Sequence, residues 1–111
     1  MVRNLLAGLV SASLAAGLMA APPQKGKEGD AAKGKEVFEQ CGVCHNADSE
    51  EKKMGPGLKG LFKKAKLNNG KKPTEEVVRA IINAGGNGMP SYETILSDEE
   101  KNNVIAYLKT L

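Results

Sequence analysis

Cys41-Gly42-Val43-Cys44-His45 contains both cysteines and the sole histidine of this 111-residue chain. Two thiols three residues apart, followed at once by an imidazole, form the CxxCH pattern that attaches c-type haem. The spacing follows from the chemistry. The thiols add across two vinyl groups on one edge of the porphyrin, and the adjoining imidazole reaches the iron from the same side. Three other readings use the same residues. Structural zinc needs a tetrahedral ligand set, which two Cys and one His do not complete. A thiol–disulfide oxidoreductase would use Cys41 and Cys44 as its redox pair, but that fold feeds its cysteines from strands, whereas here a helix leads into Cys41. A plain bridge between them closes so short a loop that it constrains the unfolded chain little.

On the N-terminal side, Asp30 is a good N-cap. Ala31, Gly34, Val37, Phe38 and Cys41 then recur at i, i+3, i+4 and i+7, predicting a helix whose end delivers Cys41. On the C-terminal side a Gly55-Pro56-Gly57 loop precedes Leu58, Leu61, Phe62 and Ala65, a short helical stripe that Asn68, Asn69 and Gly70 end. Pro73 and Thr74 open a further helix with Val77, Val78, Ile81 and Ile82 as its buried face and Gly85 as its stop. Ser97-Asp98-Glu99-Glu100 is a capping box, and Val104, Ile105, Leu108 and Leu111 give the last helix its apolar stripe. No segment alternates apolar and polar residues and no repeat is visible, so the expectation is all-α: about four helices packed around one covalently attached haem. With no Trp, two Phe and two Tyr, the side chains alone fill only a modest core, and a cofactor is a natural staple.

With His45 the only histidine, two histidines from one chain cannot ligate the iron, which leaves Met, Lys or an empty sixth position. Met54 follows His45 by nine residues, in a loop easily kept on the His45 side of the ring. Met89 has a helix and a loop with which to reach the other face. It sits in Gly85-Gly86-Asn87-Gly88-Met89-Pro90, where the glycines remove side chains and permit positive φ before proline fixes φ. We therefore expect Met89 as the ligand, against the alternative of an ordinary core methionine.

Residues 1–20 carry Arg3 and then an apolar, small-residue stretch ending at Leu18-Met19-Ala20, the pattern of a secretory signal peptide. A cut after Ala21 would put Pro22 beyond the scissile bond, so cleavage is expected after Ala20. An uncleaved anchor is the alternative, but a spanning helix wants about 20 strongly apolar residues, and this stretch is diluted by Gly8, Ser11, Ser13 and Gly17. Residues 21–29 read as a flexible leader and 30–111 as the folded domain. The expected location is the periplasm, with no stable membrane insertion after signal removal. The full chain has 16 Lys and Arg against 13 Asp and Glu. Lys59, Lys63, Lys64, Lys66, Lys71 and Lys72 run together without an intervening acid, so they either steer an acidic partner surface or serve solubility. An exported domain without interleaved aromatics is not expected to bind nucleic acid.

These residues in this order resemble the class I monohaem c-type cytochromes. The leading helix carries Gly34 and Phe38, then come Cys41-x-x-Cys44-His45, Gly55-Pro56-Gly57-Leu58 and Gly88-Met89-Pro90-Ser91-Tyr92, and Val104-Ile105-Ala106-Tyr107-Leu108 lies in the closing helix. The match covers Asp30 to Leu111 and is nearest to the small bacterial members, c6-like or c551/c552-like. The resemblance implies the small cytochrome c fold and haem c attached at Cys41 and Cys44. It further implies His45 and Met89 on the iron, the Pro56 carbonyl on the Nδ1 proton of His45, and Gly34 at a close helix crossing. The implied role is that of a monomeric electron carrier with redox-protein partners, not an enzyme. Alternatives keep the haem in another setting: a cytochrome subunit of a periplasmic dehydrogenase, a haem sensor, or a peroxidase-like protein. The lysine-rich stretch between Leu58 and Pro73 is a departure that assigns the chain to no named subfamily.

Overall fold

The computed structural model describes residues 29–111, so the expected signal peptide and all of the leader except Gly29 lie outside the described residues. Among these residues, three α-helices, α1 (Ala31–Phe38), α2 (Glu75–Ala84) and α3 (Asp98–Leu108), and one 3-10 turn (Leu61–Lys63) are joined by long loops. Among the described residues there is no strand, only an isolated bridge between Gly86 and Met89. The all-α expectation holds, with one difference in count. The stretch expected as a helical stripe from Leu58 to Ala65 makes a single 3-10 turn. Gly60 enters it in the left-handed region at φ 70°, and Lys64 leaves it extended at ψ 148°. Leu61 is still buried there, so the apolar spacing reported burial correctly and overstated helix length.

α1 begins where the Asp30 carboxylate accepts the amides of Ala32 and Lys33 at 2.8 and 3.2 Å. The Asp30 amide donates to Oδ1 of Asn103 at 2.8 Å, fastening the start of α1 to α3. Asn103 is thereby buried with its oxygen satisfied, as a buried polar group must be. One turn on, Gly34 meets α3 so closely that a Cβ there would lie 1.8 Å from the Asn103 carbonyl oxygen. Phe38 then packs on Tyr107 with ring centroids 5.3 Å apart and planes tilted by 53°, the offset geometry that aromatic quadrupoles favour.

α3 carries the centre of the core: Val104 and Ile105 are the most deeply buried side chains, with Leu108 beside them. Its start is the expected capping box. Ser97 Oγ accepts the Glu100 amide at 3.1 Å, and Glu100 returns a carboxylate to the Ser97 amide at 3.0 Å. Such a cap contributes about 1 kcal/mol. Asp98, Glu99 and Glu100 all lie in that first turn, where negative charge complements the helix dipole, so this acidic cluster has a structural task. α2 is capped by Thr74 on the Val77 amide and stops at Gly85, φ 65°. Its Val78 and Ile82 are buried, whereas Val77 and Ile81 are half-exposed and line an open depression with Ala80 and Ala84.

Candidate haem site

Beyond Phe38 the chain tightens into successive turns rather than continuing the helix. The amides of Cys41 and Gly42 both donate to the Phe38 carbonyl at 2.8 Å, and those of Cys44 and His45 both donate to the Cys41 carbonyl, at 3.1 and 3.0 Å. Cys41 and Cys44 are not bridged to each other and are half-buried, and Val43 between them is 71% exposed. The Cys41 thiol is pushed above its ordinary range by burial and, secondarily, by the neighbouring Cys44. That direction opposes the lowered pKa that makes a redox-pair cysteine nucleophilic. Tyr92 is buried, and its phenol is likewise raised, first by burial and then by Cys41 and Cys44, so it belongs to the surroundings of the thiols.

His45 Nδ1 lies 2.8 Å from the carbonyl oxygen of Pro56. A carbonyl can only accept, so Nδ1 carries the proton and donates, and the lone pair stays on Nε2. The Pro56 segment is itself tied to the cysteine turn. The Gly55 amide donates to the Cys44 carbonyl at 2.8 Å, the Leu58 amide to the Asn46 carbonyl at 2.8 Å, and the Lys53 amide to the Gly55 carbonyl at 3.0 Å. Within this loop Met54 places its sulfur 3.9 Å from Cys44 Sγ and is 79% exposed.

Met89 is presented by a different device. Gly85, Gly86, Asn87 and Gly88 have φ of 65°, 116°, 53° and 91°, a run that glycine adopts cheaply and asparagine tolerates. The amides of Gly86 and Met89 donate to each other's carbonyls at 2.9 and 3.0 Å, closing the turn, and the Tyr92 amide returns to the Ile82 carbonyl of α2 at 3.0 Å. Ser91 Oγ adds a bond to the Asn83 carbonyl at 2.5 Å. Met89 is thereby packed, half-buried, against the same core as Cys41, Leu58, Phe62 and Leu67.

The residues singled out in the sequence thus fall into two groups. Cys41, Cys44, His45 and Pro56 form one hydrogen-bonded unit, and Met89 joins the shared core from its own loop. Gly55, which the sequence marks only as part of a turn, and Tyr92, which it marks only as a motif residue, also belong to these surroundings. The donor set fits a haem: two thiols on one turn, an imidazole with its Nε2 lone pair available, a thioether, and half-buried apolar side chains around them. It does not fit zinc, since among the described residues no group of three or more His, Cys, Asp or Glu is placed to hold an ion.

An all-α chain that folds a CxxCH turn against a buried apolar core is, by class, a c-type cytochrome. Residues 31–111 match the Cytochrome c family. Among similar proteins, cytochrome c2 of Blastochloris viridis is 38% identical over 97 residues, covering 72% of this chain and 76% of that protein. Cytochrome c6 of Leptolyngbya boryana is 35% identical over 80 residues, covering 71% of this chain and 89% of that one. The chain belongs to the cytochrome c family, as a class I member. Its cofactor is haem c, its partners are redox proteins, and it is an electron carrier rather than an enzyme.

Proposed function

We propose that this chain is an exported, monomeric carrier that moves single electrons in the periplasm through a haem attached at Cys41 and Cys44, with His45 and Met89 as axial ligands. The observation that carries this reading is the 2.8 Å contact between His45 Nδ1 and the Pro56 carbonyl. It fixes the tautomer, orients the ring and raises the basicity of Nε2, as partners of a metal-bound histidine do. Haem supplies an iron that changes oxidation state by one electron. The protein's part is to hold the coordination constant between the two states. His45 is clamped from the CxxCH side, and the Met89 thioether, offered by a loop of fixed conformation, favours the reduced ion. Burial of the surrounding apolar side chains acts in the same direction by penalising the additional charge of the oxidised form.

Residues 1–20 supply the export signal in this reading, 21–29 its leader and 30–111 the working domain. No described helix is long and apolar enough to cross a membrane. Lys59, Lys63, Lys66, Lys71 and Lys72 are exposed, and we assign them to docking an acidic partner surface. Charge steering of this kind weakens as salt shortens the Debye length. Electron transfer to an acidic redox protein is therefore expected to slow as ionic strength rises, and a salt-independent stopped-flow rate would remove the lysines from docking.

The coordination is tested by absorption spectra of the haem-loaded protein, oxidised, reduced and under carbon monoxide. Sharp reduced c-type bands, a sulfur-to-iron band in the oxidised form and no response to carbon monoxide are expected. Ready carbon monoxide binding would point instead to a sensor or peroxidase-like site. A protein that acquires no haem would return attention to thiol chemistry at Cys41 and Cys44.

A further inference from the structure

We propose that Gly55 is a positioning residue for His45: its bare Cα sits on the face of the imidazole and sets the rotation of that ring about the direction of its Nε2 lone pair. The proposal deepens the reading of His45 as an axial ligand and rests on it. A Cβ built on Gly55 would lie 2.5 Å from His45 Cε1, 2.8 Å from Nδ1 and 3.0 Å from Nε2. A side chain there would thus crowd three of the five ring atoms, both nitrogens among them. The backbone of Gly55 is not in the left-handed region, unlike that of Gly60, Gly70, Gly85, Gly86 and Gly88. Backbone conformation thus gives no reason for glycine here, and the imidazole is what excludes a side chain.

The two sides of this contact are unequally able to yield. The Gly55 segment is held by its amide on the Cys44 carbonyl at 2.8 Å and by the Lys53 amide on its own carbonyl at 3.0 Å. Moving it away would break both bonds. The His45 backbone is fixed through its amide to the Cys41 carbonyl at 3.0 Å. The ring torsion is the softer coordinate, because terminal sp³–sp² torsions of histidine are broad. Gly55 closes one face while the Pro56 carbonyl holds the Nδ1 edge, so the ring is confined in rotation by two consecutive residues. Any side chain at position 55 turns the imidazole and lengthens the Nδ1–Pro56 bond. A weaker bond at Nδ1 makes Nε2 a poorer donor, and a poorer donor stabilises the oxidised iron less, so the reduction potential rises.

The test is Gly55→Ala in the haem-loaded protein, with covalent haem retention scored separately on a denaturing gel. The oxidised variant is expected to show a reordered pattern of paramagnetically shifted haem methyl resonances, since that order follows the plane of the axial imidazole. Its midpoint potential is expected to rise. An unchanged methyl order together with an unchanged potential would overturn the proposal. Should the variant fail to accumulate, the reduced wild-type protein decides: one Gly55 α-proton must give a strong NOE to His45 Hε1, and its absence would overturn the contact. Failure of the underlying reading looks different, because His45 ring protons without the large upfield displacement of an iron-bound imidazole would remove His45 as a ligand while leaving the NOE intact.

Discussion

Gly34→Val is expected to destabilise the haem-loaded protein by about 3 kcal/mol, the upper end of what overpacking a fitted contact costs. The added Cβ would meet the Asn103 carbonyl oxygen at 1.8 Å, its carbonyl carbon at 2.5 Å and Tyr107 Cβ at 2.9 Å. Two of these three atoms are backbone in the middle of α3, so no rotamer relieves the overlap and the helices must part. Parting them loosens the Asp30–Asn103 hydrogen bond and the Phe38–Tyr107 stack, and it opens the side of the core occupied by Val104 and Ile105. The gain in helix propensity on replacing glycine is a few tenths of a kcal/mol, too small to offset this. Denaturant unfolding of wild type and variant measures the difference, and coincident midpoints would mean that α1 and α3 have room the packing does not suggest. The damage should also reach the haem site, because the Phe38 carbonyl at the end of α1 receives the Cys41 and Gly42 amides.

That coupling explains how much was legible in the sequence. The caps were readable because each is a local bargain between a side chain and an amide two or three residues away: Asp30, Thr74 and the Ser97–Glu100 box all stand where their residue types place them. Apolar period was a sound guide to Phe38, Val78, Ile82, Val104, Ile105 and Leu108, all buried. It failed at Leu58 to Ala65, where the left-handed Gly60 limited the helix to a single 3-10 turn. It also failed at Val77 and Ile81, because a helix on the surface of so small a core cannot bury every apolar residue it carries. Long-range polar contacts were invisible. Lys101 is 4% exposed because its Nζ donates to the Glu93 carbonyl at 3.0 Å, tying α3 to the segment after Met89, and no periodicity encodes such a bond. Gly55 belongs to the same group: a Gly-Pro-Gly run announces a turn, but which ring that turn lies against depends on the folded chain.

Met89→Ala is expected to change what the haem can bind while leaving its covalent attachment intact. Cys41 and Cys44 sit on the turn after α1, whereas Met89 is carried by the loop after α2, so the proposed attachment and the proposed sixth ligand depend on separate parts of the chain. Without the thioether the reduced protein should bind carbon monoxide readily and the sulfur-to-iron band of the oxidised form should vanish. The midpoint potential should fall as well, because thioether ligation favours the reduced ion. Met54→Ala is the paired experiment. Its sulfur rests 3.9 Å from Cys44 Sγ on a largely exposed side chain, in the loop bonded to the cysteine turn, and there it is on the wrong branch of the fold to replace Met89. Carbon monoxide inertness is expected to survive Met54→Ala and to be lost in Met89→Ala, and the reverse result would exchange their roles. As the proposed ligand, Met89 is pre-organised. The positive-φ run from Gly85 to Gly88 leaves the backbone few alternatives once the Gly86–Met89 turn has closed, so little conformational entropy remains to be lost on coordination. Replacing Asn87 and the neighbouring glycines would remove that advantage without touching the sulfur, which is why the single change at Met89 is the cleaner measurement of what the thioether itself contributes.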